Sequence, residues 1–122
     1  MDNRKRVLVV DDEDDVAVFM SCFLTRFGIE NDVAKDGESA LKFLNSNPYN
    51  CVFLDLNLGS GINGFDILKR IKTDKPKMKV VVISGSVDNS AIGETMSMGA
   101  DHFLVKPIDL LELKKTMEQY LQ

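Results

Sequence analysis

Two cysteines, a single histidine and no long apolar run set the first limits on this chain of 122 residues. No stretch approaches the roughly 20 apolar residues that a membrane-spanning helix needs. Residues Met1 to Arg6 lead straight into a strand pattern rather than a signal peptide. Neither a membrane partner nor export is expected, and the expected location is the cytoplasm. A formal net charge of −4 leaves no general electrostatic reason to bind nucleic acid or an anionic lipid surface directly. Cys22 and Cys51 both sit in apolar surroundings, one on a helical pattern and one at a strand start. They read as two buried thiols in a reducing compartment, not as a disulfide or a metal site. The one histidine, His102, begins a strand and reads as a surface or turn residue, which leaves little material for acid–base catalysis.

What is present is an alternation of two periodicities. Val7 to Val10 is a β-branched run that stops abruptly at acids. From Val16 to Phe27 apolar residues recur at helical spacing, and Gly28 marks the stop. A short strand over residues 31–34 is followed by a helix over 38–45, closed by Asn47 and Pro48. Cys51 to Leu54 is the next strand, and a helix over 65–73 leads to the strand Val80 to Ile83. A weaker helix over 89–98 carries Gly93 in its middle; His102 to Val105 and Leu110 to Leu121 are the last strand and helix. With no low-complexity segment or linker, residues 1–122 read as one α/β domain.

Parallel strands need crossover connections, so this order implies a parallel sheet covered by helices on both faces. Of the two common doubly wound orders, the shorter one, 2-1-3-4-5 as in flavodoxin-like folds, accommodates five strands. Ligands bind such sheets beyond the carboxyl ends of the strands, where the winding reverses. There the first strand ends in Asp11 and Asp12, the third in Asp55, the fourth in Ser84 and the fifth in Lys106. Three crowded carboxylates repel one another, so an empty site should raise a pKa or recruit a cation. Hard oxygen donors with room for phosphate oxygens suit Mg²⁺. An ionised aspartate is also a nucleophile toward phosphorus, and phosphoryl transfer asks a protein mainly for charge neutralisation and alignment. Lys106 would supply positive charge and Ser84 a hydrogen bond. The Lys106–Pro107 bond is a candidate cis peptide that would aim the lysine inward.

The chain resembles a response regulator receiver domain of two-component signal transduction, of the chemotaxis-regulator type, along its whole length. The matching stretches are Val-Leu-Val-Val-Asp-Asp at 7–12, Val-Phe-Leu-Asp-Leu at 52–56 and Asn-Gly-Phe-Asp at 63–66. Two more are Val-Val-Ile-Ser-Gly at 81–85 and Gly-Ala-Asp-His-Phe-Leu-Val-Lys-Pro at 99–107. The resemblance implies that Asp55 is the phosphoacceptor and that Asp12 binds Mg²⁺ (or Mn²⁺) directly. By the same match Asp11 acts mainly through metal-bound water, and the main-chain carbonyl of Asn57 completes the protein's ligands. Ser84 and Lys106 contact the phosphoryl group, and Phe103 takes the place of the switch aromatic. The implied partners are a sensor histidine kinase or histidine phosphotransfer protein, and a downstream protein or an output domain outside this chain. The only chemistry implied is the domain's own phosphorylation and slow dephosphorylation, with the fourth helix, fifth strand and fifth helix as the signalling surface.

This sequence departs from the family pattern beside the acceptor. Gly59 stands where proline is common, the run to Gly64 looks one residue longer, Ser84 replaces a commoner threonine, and Gly85 a commoner alanine. The run Gly59-Ser-Gly-Ile-Asn-Gly64 is also a literal G-x-G-x-x-G after a strand and before a helix, which raises a nucleotide-binding reading. Against it, the acid expected roughly twenty residues on is missing, since that region reads Val82-Ile83-Ser84. An aspartyl-phosphate phosphatase would need an acid–base group near the nucleophile, and two residues beyond Asp55 lies only Asn57. The remaining charges have blander readings. Glu13, Asp14 and Asp15 could extend the metal site, but the blander reading is that Asp14 or a neighbour caps the first helix. Lys35, Lys42, Lys69, Arg70, Lys72, Lys114 and Lys115 are solvated. Met96 and Met98 are either core filling or an adaptable surface. By pattern alone Phe103 could simply face the core.

Overall fold

Four strands are short, largely apolar runs, the edge strand over 31–34 is more polar, and in the computed structural model the five strands and five helices follow the expected order. The structure describes residues 5–59, 61–85 and 89–121, the side chains of Asn89 and Ser90 excepted. Ser60 and the lead-in at 1–4 lie outside the described residues. The elements run β1 (Arg6–Val10), α1 (Asp14–Arg26), β2 (Glu30–Ala34), α2 (Gly37–Ser46), β3 (Cys51–Asp55) and α3 (Gly64–Asp74). They continue with β4 (Lys79–Ser84), α4 (Asn89–Ser97), β5 (His102–Val105) and α5 (Leu110–Tyr120). The sheet is wholly parallel in the order β2-β1-β3-β4-β5.

Side chains alternate across each strand, so the sheet divides the core in two. Leu8, Val10, Val52, Leu54, Val80 and Val82 pack toward α2 and α3, against Ala40, Leu44, Ile67, Leu68 and Ile71. Val7, Val9, Phe53, Val81, Ile83 and Leu104 pack toward α1 and α5, against Met20, Phe23, Leu24, Leu113 and Met117. Phe103 is half-buried and lies against the first of these clusters, as does Met98, whereas Met96 is exposed.

Helix starts are fixed by side-chain caps. Asp36 accepts from the Ser39 N–H (2.7 Å), Asn63 from that of Asp66 (2.9 Å) and Asp109 from that of Leu111 (2.8 Å). The first helix differs from expectation. It opens two residues earlier, at Asp14, and its N-cap Glu13 makes no side-chain capping bond. Asp14 lies in the first turn and pairs with Lys35.

Three further expectations are corrected. Cys22 is exposed, because it sits on the outer stripe of α1; only Cys51 is buried. Lys72 is not a solvated charge: its ammonium donates to the Met78 carbonyl (2.8 Å) and to Asp101 Oδ2 (2.9 Å). Asp101 Oδ2 also accepts from the Val80 N–H, so this pair ties α3 to the start of β4. His102 is a half-buried strand residue whose ring lies 5.7 Å from that of Tyr120.

Candidate functional site

The carboxyl ends of β1, β3, β4 and β5 carry the polar residues expected there, and the parallel register brings them to one edge. Asp55 is the last residue of β3 and pairs with Ile83; Ser84 follows on β4 and pairs with Val105, one residue before Lys106. Three of these side chains are buried: Asp11 is 0%, Asp55 2% and Ser84 2% exposed. Polar groups are that deeply buried only where partners compensate the lost water.

Lys106 supplies that compensation. Its ammonium lies 3.1 Å from Asp55 Oδ2, 3.1 Å from Asp11 Oδ2 and 2.5 Å from Glu13 Oε1. The Lys106–Pro107 peptide is cis, and the Lys106 N–H donates to the Ser84 carbonyl (2.8 Å). Asp55 Oδ1 accepts from the Asn57 N–H (3.0 Å), and Asp11 Oδ1 from the Glu13 N–H (2.9 Å).

The electrostatics follow from this crowding. Burial pushes the Asp11 carboxyl from 3.8 up to about 6; the Glu13 N–H opposes this, the charge of Asp55 adds to it, and Lys106 offsets part of it. Burial works against the charge on Lys106, yet Glu13, Asp55 and Asp11 together hold its ammonium well above the usual lysine range.

Asp11, Asp12, Glu13 and Asp55 each offer a carboxylate oxygen, all within 4.8 Å of one another. Asp11 Oδ2 is buried without a hydrogen bond; the lysine beside it is an ion contact only. An orphaned hard oxygen among other carboxylates fits a small divalent cation. Glu13 is the one member of this cluster that sequence reasoning set aside, as one of the acids beside the helix cap. Its adjacency to Asp12 in the tight turn after β1 was the available signal.

The glycine loop packs against acids. Gly59 and Gly61 have φ of +72° and +88°, conformations that glycine adopts without strain. A side chain at Gly59 would begin 3.7 Å from Asp12 Oδ2, and one at Gly61 would begin 2.9 Å from Glu38 Oε1. Two carboxylates facing the loop are a poor setting for a pyrophosphate. Gly64 is required for space: a Cβ there would lie 2.5 Å from the Asp55 carbonyl oxygen.

A doubly wound α/β domain with an acidic pocket and a half-buried lysine at its strand ends defines a phosphoryl- or cation-handling class. Comparison with known proteins narrows it. Residues 7–118 match the response regulator receiver domain, and the chain belongs to that family. It is 36% identical over 104 residues to a putative NtrX-like response regulator of Rickettsia bellii, covering 84% of this chain and 22% of the relative. It is 33% identical over 107 residues to the response regulator ArlR of Staphylococcus epidermidis, covering 88% and 48%. The solved receiver domain of NtrX from Brucella abortus superposes with a TM-score of 0.88 at 35% identity, covering 94% of this chain and 97% of that one. The chain thus spans about a fifth to a half of the curated relatives it matches. Receiver domains are signalling modules of two-component systems. They bind Mg²⁺ at an acidic pocket, carry phosphate on an aspartate and partner with histidine kinases. Among the described residues no helix is long and apolar enough to cross a membrane.

Proposed function

We propose that Asp55 of this chain accepts a phosphoryl group from the phosphohistidine of a sensor histidine kinase or histidine phosphotransfer protein, with residues 1–122 acting as one receiver domain. The observation that carries this reading is the Lys106 ammonium, 3.1 Å from Asp55 and from Asp11, in the acidic crevice at the strand ends. An Asp55 carboxylate oxygen attacks phosphorus, the donor's P–N bond breaks, and the departing imidazole nitrogen keeps the electron pair and takes up a proton. Asp12, Asp55 and the Asn57 main-chain carbonyl, with Asp11 mainly through metal-bound water, would hold Mg²⁺ (or Mn²⁺), which would supply charge neutralisation to the transferring phosphoryl group. Lys106 holds a second side of the group, and Ser84 donates a hydrogen bond to a phosphoryl oxygen. Two residues beyond Asp55 lies Asn57, whose amide is no acid–base group to speed hydrolysis, so the domain is a phosphoacceptor whose dephosphorylation is slow. The two free thiols suit a reducing cytoplasm.

The added charge draws Ser84 toward the phosphate, and Phe103, half-buried on the neighbouring strand, moves into the space released. The surface of α4, β5 and α5 then changes its packing for a downstream protein or an output domain. Gly93 costs α4 roughly 1 kcal/mol relative to alanine, so that helix shifts easily. Borohydride reduction of the phosphorylated protein, followed by peptide mapping, tests the acceptor: homoserine is expected at position 55. Homoserine at another acid, or none, would overturn the assignment.

A further inference from the structure

Six large apolar side chains stand exposed among the described residues, and four of them line one hollow: Phe19 of α1 and Phe27 just beyond its end, with Leu110 and Leu111 of α5. A hollow of about 760 Å³ lies between the two helices, lined by Phe19, Cys22, Phe23 and Phe27 on one side and by Leu110 and Leu111 on the other. Scattered apolar residues on a surface are ordinary, whereas a contiguous patch marks a docking site. The outer stripe of α1 says what docks there.

Asp15, Val18 and Phe19, Cys22 and Arg26 follow one another at three- and four-residue spacing, and all are exposed. The opposite face, with Ala17, Met20 and Leu24, is buried. The stripe therefore has an acid at its N-terminal end, a base at its C-terminal end and an apolar middle. Such a stripe is complementary to itself. Laid antiparallel on a second copy, with the two-fold axis level with Met20 and Ser21, Asp15 faces the other copy's Arg26 and Phe19 faces its Cys22. An isologous contact requires this reciprocity. The two ends are about 16 Å apart along the helix, so both ion pairs and the apolar middle form together.

We propose that this face is a self-association surface, and that two copies of this chain pair through antiparallel α1 helices flanked by Leu110 and Leu111. The inference rests on charge order and exposure alone and not on the phosphoacceptor reading. One helix stripe is small beside the roughly 800 Å² per partner of a standard interface, so the pairing is weak and depends on protein concentration. A neighbouring hollow, lined by Asp15, Phe19, Lys106 and Pro107 among others, joins this face to the acidic site. Pairing therefore also narrows the approach to Lys106.

Sedimentation velocity of the whole chain over a wide concentration range tests the proposal. Arg26→Glu is expected to raise the dissociation constant about ten-fold, because two attractive pairs become repulsive. Asp15→Arg should do the same, and the double charge swap should restore the wild-type value. Phe19→Glu should leave a monomer. A short bis-maleimide should link Cys22 to Cys22 in wild type and not in Phe19→Glu, the buried Cys51 remaining silent. Circular dichroism melts confirm that each variant is folded. A monomer at every concentration, single charge variants that associate like wild type, or a double swap that fails to restore pairing would each overturn the proposal. In those cases the face belongs to a different protein.

Discussion

Replacing Asp11 by asparagine should make the metal-free protein more stable at neutral pH, although it removes an ion contact. Asp11 is fully buried and its carboxyl is held at about 6, against 3.8 ordinarily. An acid raised in the folded state favours folding while it is protonated. That contribution is complete below the unfolded value and is lost as pH rises through the folded one. At neutral pH the ionised carboxylate therefore costs the fold up to about 3 kcal/mol. The amide of the Asp11→Asn variant carries no charge and keeps an oxygen to accept from the Glu13 N–H, while Lys106 retains Asp55 and Glu13. The expected gain is on the order of 1–3 kcal/mol at neutral pH, closing as pH falls to about 4. Urea unfolding in the presence of a chelator, repeated across that range, reads both numbers. Adding Mg²⁺ should then reverse the order, since a ligand at a hundred times its dissociation constant adds about 2.7 kcal/mol to the state that binds it. A variant less stable than wild type at neutral pH, or a gap indifferent to pH, would refute the reasoning.

Other perturbations test neighbouring parts of the structure. Gly64→Ala places a Cβ 2.5 Å from the Asp55 carbonyl oxygen and 2.6 Å from Leu56 Cα. It should cost about 1–3 kcal/mol in a thermal melt and slow phosphorylation as well, because the backbone that must shift carries the acceptor. Cys22 should react with a maleimide in the native protein. Cys51, buried and with its thiol pushed up to about 12 by that burial, should react only on unfolding, so a time course of labelled mass should show two separate steps. Lys72→Met leaves Asp101 only the longer contact to Lys79 (3.8 Å) and should cost about 1–3 kcal/mol in urea, whereas Lys69→Met on the exposed face of α3 should cost nothing measurable.

The fold was legible because four short, largely apolar runs and one more polar stretch at 31–34 are separated by helical patterns, a combination that leaves few topologies. The crevice was legible because its residues stand at strand ends, where a break from apolar to acidic is abrupt. Pattern reading failed where a residue's partner lies far away in sequence. Lys72 looks like any helix lysine until the turn at Met78 and Asp101 folds over it. Cys22 sits among apolar neighbours, but the stripe it shares with Val18 and Phe19 points outward, so apolar periodicity there reported an exposed face beside the buried one. Glu13 was grouped with the capping acids because one-dimensional spacing cannot tell that Lys106, on the far side of the sheet's winding, reaches it. The side Phe103 faces was equally open until the parallel register placed it with the α2 and α3 core.

The most direct measurement is intact mass after incubation with acetyl phosphate and Mg²⁺, run beside Asp55→Asn. The expected result is a single labile phosphoryl adduct on the wild-type chain that is absent from the variant and suppressed by a chelator. No adduct on the wild type, or one that persists in Asp55→Asn, would contradict the assignment of Asp55 as the acceptor.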